Sequence, residues 1–341
     1  FRKRMERLKT LGELGELGLI ERIRRKARVG QKSVVLGIGD DCAAFRVPPG
    51  KLCLLTTDAL VQGVHFDLSF LSYKDLGWRS LAVNLSDVAA MAGKAVGALV
   101  TLGLPQGMKV GEADELYAGM FELAKKFKVD LVGGDTVRSP VLVLNLTVWG
   151  EVEPKKMATR SGAKPGDLLL VTGELGGAQA GLEVLSGAVQ GITEPEPILE
   201  RHRRPMPRLR EAQALSKAGG VHAMIDISDG LASECQHLAK ESRVGIEIWE
   251  EKIPILPVTR RVARAKELPG TDLALFGGDD YELLFTAPEG RAAKLEKALE
   301  KSGTKVTVIG RVARGRPGVV MVTKSGERKK ITRAGFDHFR G

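Results

Sequence analysis

The chain has 341 residues, 43% apolar and 28% charged, and a formal net charge of +10. That length accommodates two domains, and the composition is that of an ordinary globular protein. No apolar run approaches the ~20 residues of a membrane span, and the N-terminus lacks the apolar stretch of a signal peptide. Cys42, Cys53 and Cys235 form no CxxC pair and leave an odd count, which suits a reducing, cytoplasmic setting.

Residues 33–39 (SVVLGIG) and 52–58 (LCLLTTD) read as strands, each ending at a carboxylate. Residues 74–92 read as a helix, followed by a strand at 95–104. Ala113, Leu116, Tyr117, Met120, Ala124 and Phe127 follow helical spacing and predict an amphipathic helix over 110–127. Its acids lead and its lysines close, as the helix dipole prefers. DLVGGDT and the long apolar strand PVLVLNLTVWGEV come next. The polar segment 153–167 carries two prolines and marks the domain boundary. Beyond it, DLLLVTG, HAMIDISD, GIEIWE, LALFGGDDYELLFTA and KVTVIGRVA read as strands. Helices at 178–185, 230–242, 257–267 and 290–302 alternate with them. Alternation in both halves predicts an α/β architecture.

Acidic residues stand inside nearly apolar motifs along the whole chain: Asp40 and Asp41 in GIGDD, Asp58 in TTD, Asp87 in NLSD, Asp135 in GGDT, Asp226 and Asp229 in DISDG. A carboxylate in an apolar run is costly unless paired, and no Lys or Arg lies inside these motifs. Divalent cations are the simplest compensation. Thr56 and Thr57 add hard oxygens beside Asp58, and oxygen donors spread over several elements suit Mg²⁺. No His or Cys spacing suits zinc. Strand-end acids in both halves imply one site between the domains. Glycine numbers 41, where the usual ~7% would give about 24; the excess flanks these motifs.

Neither a Walker A sequence nor the kinase glycine-rich loop is present, so any nucleotide chemistry uses another fold. The turn Gly173–Gly177 offers a helix N-terminus to phosphate, or is only a strand-to-helix turn. Asp279, Asp280 and Glu282 precede a strand, with at least one expected to face water. The basic runs at 1–9, 201–210 and 327–330 read as solvated surface that attracts anions. They carry no nucleic-acid recognition motif.

The ordered set GIGDDCA, TTD…GVHF, NLSDVAAMAG, GGDT, TRSGAKPGD, DISDGL, GGDDYEL and GFDHF resembles the thiamine-monophosphate kinase family, from about Gly15 to Phe339. Each motif alone is weak; their number and order are specific. The resemblance implies a two-domain α/β (α+β) fold of the aminoimidazole ribonucleotide synthetase-like kind, with mixed sheets flanked by helices. It implies a homodimer in which N-domain strands form a shared barrel. Residues 12–152 would bind ATP and Mg²⁺ and dimerise; residues 160–341 would complete the site. It implies Mg²⁺ ligands at Asp41, Thr56, Thr57, Asp58, Asp87, Asp135, Asp226 and Asp229. ATP contacts fall on Gly134, Asp135, Arg160 and Ser228, and thiamine-phosphate contacts on His65, Asp279 and Phe336. Asp279 stands where the family often has Glu, and Phe336 where Tyr can occur.

The reaction implied is transfer of the ATP γ-phosphoryl group to thiamine monophosphate. That acceptor is a phosphate monoester, with a second pKa near ~6, and is already ionised at neutral pH. No general base or covalent nucleophile is therefore expected; the work lies in positioning two polyanions. Another ATP-using superfamily member, such as a selenophosphate synthetase or a purine-biosynthesis ligase, is the nearest alternative. A nucleotide-binding regulator without turnover is another.

Overall fold

The computed structural model describes residues 34–36, 43–47 and 49–333. Asp40, Asp41, Cys42, Phe336 and the basic run at 1–9 lie outside them.

Two mixed sheets organise the fold. The first is built from β1 (Val34–Leu36), β2 (Ala43–Val47), β3 (Lys51–Val61), β4 (Lys94–Leu104), β5 (Asp130–Arg138) and β6 (Val143–Val152), in the order β1-β2-β3-β6-β4-β5. Only β4 and β5 run parallel. Helix α1 (Tyr73–Ala90) precedes β4, and α2 (Val110–Phe127) joins β4 to β5. Strand β6 alternates half-buried and buried residues along its length, as a strand with one face on a core must. The opposite face leaves Leu55, Leu99 and Val137 exposed.

The second sheet combines β7 (Asp167–Thr172), β8 (Ala223–Asp226), β9 (Gly245–Trp249), β10 (Leu283–Pro288), β11 (Val306–Ala313), β12 (Gly318–Val322) and β13 (Arg328–Ile331). Its order is β13-β12-β9-β11-β7-β10-β8, with β12 and β9 the parallel pair. Around it lie α3 (Gly177–Leu185), α4 (Glu196–Arg203), α5 (Leu209–Ala218), α6 (Leu231–Ser242), α7 (Pro257–Ala265), α8 (Asp272–Phe276) and α9 (Ala292–Glu300).

Helix α1 is the centre of the molecule. Ser72 caps it, its hydroxyl accepting from the Asp75 amide at 3.1 Å. Residues from Leu76 to Ala90 are buried almost without a break, because β3 and β6 cover one side and α5 and β8 the other. A helix apolar on all sides belongs inside a core. One continuous core accordingly runs from Leu54 and Leu146 of the first sheet through Leu81 and Leu85 to Met224 and Phe285 of the second. Helix α2 packs on α1 so closely that a Cβ at Gly119 would sit 1.8 Å from the Lys74 carbonyl oxygen.

Three expectations change. The apolar run LALFGGDDYELLFTA is not one strand: Asp272–Phe276 is helical, and only Leu283–Pro288 is extended. Positive φ angles at Asp279 (70°) and Tyr281 (51°) break the run, a conformation no strand tolerates. Helices α4 and α5 come from the run at 201–210 and its flanks, read from sequence as surface; Pro205 and Pro207 separate them. β12 and β13 add an unexpected edge, closed by the lysine-bearing β13. No helix among the described residues is long and apolar enough to cross a membrane.

Gly119→Ala should destabilise the protein by about 2 kcal/mol through overpacking, measured by urea denaturation. Gly111→Ala, on the same helix with open space around it, should be neutral or stabilising. Equal effects would mean that the α1–α2 approach is not tight.

Candidate active site at the seam between the sheets

A cavity of about 500 Å³ opens where the sheets meet, a size typical of small-molecule sites. Asp58 comes from β3, Asp87 from α1, Asp226 from the end of β8, and Ser228 and Asp229 from the turn after it. His65 enters from the loop after β3, and Asp279 from the loop before β10. Five motifs separated by up to about two hundred residues thus share one wall, as the sequence reading expected of a site between domains.

Local structure explains each position. Thr56 and Asp58 share a face of β3, being two residues apart. The Thr56 hydroxyl donates to Asp87 Oδ2 at 2.5 Å and orients that carboxylate. Arg79, Val83 and Asp87 line the cavity at i, i+4 and i+8 of α1. Ser86, beside Asp87, donates to Asp226 Oδ2 at 2.5 Å and joins the two halves. The DISDG turn ends at Gly230, where φ is +107° and a Cβ would meet the Leu275 and Gly277 carbonyl oxygens. Only glycine fits there. The Val61 amide donates to His65 Nδ1 at 3.0 Å, so the neutral ring carries its proton on Nε2.

Other expected residues lie elsewhere. Thr57 points to the opposite face of β3 from Thr56, donating to the Leu146 carbonyl at 3.0 Å. Strand alternation separates the two hydroxyls, so Thr57 is not part of this wall. Asp135 is exposed on the edge strand β5, accepting from the Thr136 amide at 2.8 Å; neither it nor Gly134 lines the cavity. Arg160 also lies off the lining, in a loop held through its carbonyl by Ser242 Oγ at 3.0 Å. The Gly173–Gly177 turn is not open to phosphate: Asp280 already accepts from the Gly176 amide at 2.6 Å and the Ala178 amide at 3.3 Å. Of the acids after Gly278, Asp279 keeps about a third of its side chain exposed, whereas Asp280 and Glu282 are tied down. Glu282 is 1% exposed, gripped by Arg208 Nε at 2.7 Å and Thr172 Oγ1 at 2.6 Å.

Sequence reasoning missed four residues. Arg79 is 3% exposed and ion-paired with Asp279. Glu234 is buried, with Oε1 accepting from the Asp229 amide at 3.0 Å and Oε2 lacking a partner. Burial, then the charge of Asp229, push its carboxyl well above the usual range. His202, on α4, is held down to about 4 by burial and then by the Arg79 charge, so it is neutral at pH 7. Tyr281 donates its hydroxyl to Asp279 Oδ1 at 2.8 Å. The available signals were an Arg two helical turns before Asp87, and a Glu five residues after Asp229.

Among the described residues, six aspartates line the cavity and Arg79 is the only lysine or arginine that does. No group of three or more His, Cys, Asp or Glu side chains that could hold a metal ion occurs among the described residues. The expected ready-made cluster is therefore absent there, but the donors fit a hard divalent cation. Mg²⁺ keeps waters and substrate phosphates in its shell, so few protein oxygens suffice. The partnerless oxygen and upward shift of Glu234 mark a place short of positive charge. Asp58, Asp87, Asp226 and Asp229 are the residues that would hold such an ion.

Fold and site define a member of the AIR synthase-related class. The family model for the N-terminal domain of AIR synthase related protein matches residues 39–152, and that for the C-terminal domain matches 164–323. Thiamine-monophosphate kinase of Escherichia coli K12 is 38% identical over 92% of this chain and 95% of its own. The Bacillus subtilis enzyme of the same name is 36% identical over 92% and 96%. A solved structure described as AaThiL complexed with AMPPCP and TMP superposes with a TM-score of 0.84 at 34% identity, covering 97% of this chain and 99% of that one. The chain belongs to the thiamine-monophosphate kinase family.

Asp280, which pins the Gly173–Gly177 turn, supplies a separate test. Burial pushes its carboxyl up to about 7, against the pull of the Gly176 and Ala178 amides. An unfolded Asp titrates near ~3.9. The stabilising contribution of this group is complete below that value and gone above about 7. Wild type should therefore lose stability relative to Asp280→Asn between pH ~4 and ~7, read from urea midpoints. A constant gap would mean that Asp280 is ionised throughout.

Proposed function

We propose that this chain transfers the γ-phosphoryl group of ATP to thiamine monophosphate, forming thiamine diphosphate by direct in-line displacement. The observation carrying the proposal is the convergence of Asp58, Asp87, Asp226 and Asp229 on one cavity, in a chain of this family. The AaThiL structure, described with AMPPCP and TMP, supports the same pair of ligands.

In this reading each side chain has a physical task. Thr56 and Ser86 fix the carboxylates of Asp87 and Asp226, so no reorganisation is needed as substrates arrive. Mg²⁺ bound there would neutralise phosphate charge. His65 presents an N–H donor on the cavity wall, and Asp279 lies opposite on the loop from the second sheet. Neither needs to remove a proton, because the acceptor phosphate is largely ionised at pH 7. Asp41 and Phe336 extend the metal and acceptor sets by sequence resemblance. We assign residues 12–152 to metal, nucleotide and dimer contacts, and 160–341 to completing the site. The open face carrying Leu55, Leu99 and Val137 supports pairing with a second copy, whose strands would close the barrel. The cysteine pattern supports a cytoplasmic enzyme; Cys53 and Cys235 are both free.

Mass analysis after mixing the protein with MgATP and thiamine monophosphate should detect thiamine diphosphate. Asp87→Asn should lower turnover by about two orders of magnitude, most severely at limiting Mg²⁺. ADP release without thiamine diphosphate would overturn the acceptor assignment. Wild-type turnover in Asp87→Asn would remove Asp87 from the metal set.

A further inference from the structure

Arg79 has a place in the wall that neither the acidic motifs nor the acceptor residues explain. It sits in the second turn of α1, almost wholly buried. One guanidinium nitrogen, Nη1, donates to the His202 carbonyl at 2.6 Å, at the end of α4. The other, Nη2, pairs with Asp279 Oδ2. The second oxygen of Asp279 accepts from the Tyr281 hydroxyl at 2.8 Å. Both oxygens of one carboxylate are therefore held, by two side chains that line the cavity with it.

The loop bearing Asp279 is strained. Asp279 and Tyr281 both adopt left-handed φ, unusual for residues with a Cβ. Their amides are tied to the DISDG turn, Asp279 N to the Ser228 carbonyl at 2.7 Å and Tyr281 N to the Ile227 carbonyl at 2.8 Å. A conformation of this kind persists only when its surroundings hold it. Burial works to raise the Asp279 carboxyl, but Arg79 and the Tyr281 hydroxyl outweigh it and keep the group ionised.

Asp87 follows Arg79 by eight residues on the same face of α1, about 12 Å along the axis. One rigid helix therefore carries both the metal-facing carboxylate and the clamp on the acceptor loop. We propose that Arg79 is a positioning residue for the acceptor: it fixes Asp279 against the helix that carries Asp87, and so sets where thiamine monophosphate sits relative to ATP. This rests on the reading of the cavity as a thiamine-monophosphate site.

The test is a double-mutant cycle read as separate KM values. Arg79→Met should raise KM for thiamine monophosphate about ten-fold or more, with KM for MgATP changed less than about three-fold. Arg79→Lys keeps the charge but cannot hold both partners, and should recover only part of the loss. Asp279→Asn should match Arg79→Met, and the double variant should be no worse than either. Should Arg79→Met fail to fold, the double variant leaves no buried charge unpaired and is compared with Asp279→Asn instead. Equal KM values there support the clamp; a further rise overturns it. Equal rises for both substrates, or single effects that multiply, would show Arg79 acting as general scaffold. Failure of wild type to bind thiamine monophosphate by calorimetry would sink the site reading and this proposal together. Binding with multiplicative effects sinks only the role of Arg79.

Discussion

Holding like charges around one cavity is the constraint on which this structure depends. Six aspartates face one cavity with a single guanidinium among the lining residues described. Ionised carboxylates that face one cavity repel each other, and each one buried loses hydration. The fold answers in three ways. Hydroxyls of Thr56 and Ser86 donate to Asp87 and Asp226; Arg79 pairs with Asp279; and Glu234 is driven toward its neutral form. A divalent cation, arriving with a phosphate ligand, would add positive charge beside Asp58, Asp87, Asp226 and Asp229.

The supporting scaffold is α1, which is buried almost without a break from Leu76 to Ala90 yet carries Arg79, Ser86 and Asp87 among its apolar residues. Positive charge elsewhere serves the same seam. Arg204 joins Asp75 of α1 to Glu122 of α2 at 2.5 and 3.1 Å, and stacks over Trp78. Arg201 pairs with Glu174, and Arg208 with buried Glu282. Breaking a buried pair strands a charge, so these residues hold α4 and α5 against the rest of the molecule. The net charge of +10 therefore overstates the free positive surface.

Much of this was legible from sequence because carboxylates in apolar runs are costly and rarely accidental. Asp58, Asp87, Asp226 and Asp229 identified themselves in that way, and helical spacing gave residues 110–127 their helix. The errors have equally physical causes. Thr57 adjoins Asp58 in sequence, but strand alternation turns it away. Which of Asp279, Asp280 and Glu282 faces water depends on donors distant in sequence, such as the Gly176 and Ala178 amides that hold Asp280. Arg79 and Glu234 act through partners 200 residues and five residues away, respectively; the first lies beyond any local pattern. Arg201, Arg204 and Arg208 looked like a surface patch because composition records charge without recording its partner.

The central claim is that the cavity holds a polyphosphate only through divalent cations. Calorimetric titration of ATP into the protein, once with Mg²⁺ in excess and once with a chelator, tests it most directly. The account predicts saturable binding in the first case and a loss of affinity of about a hundred-fold or more in the second, because carboxylates facing the cavity repel a polyphosphate that brings no cation. Equal affinity in both would contradict it.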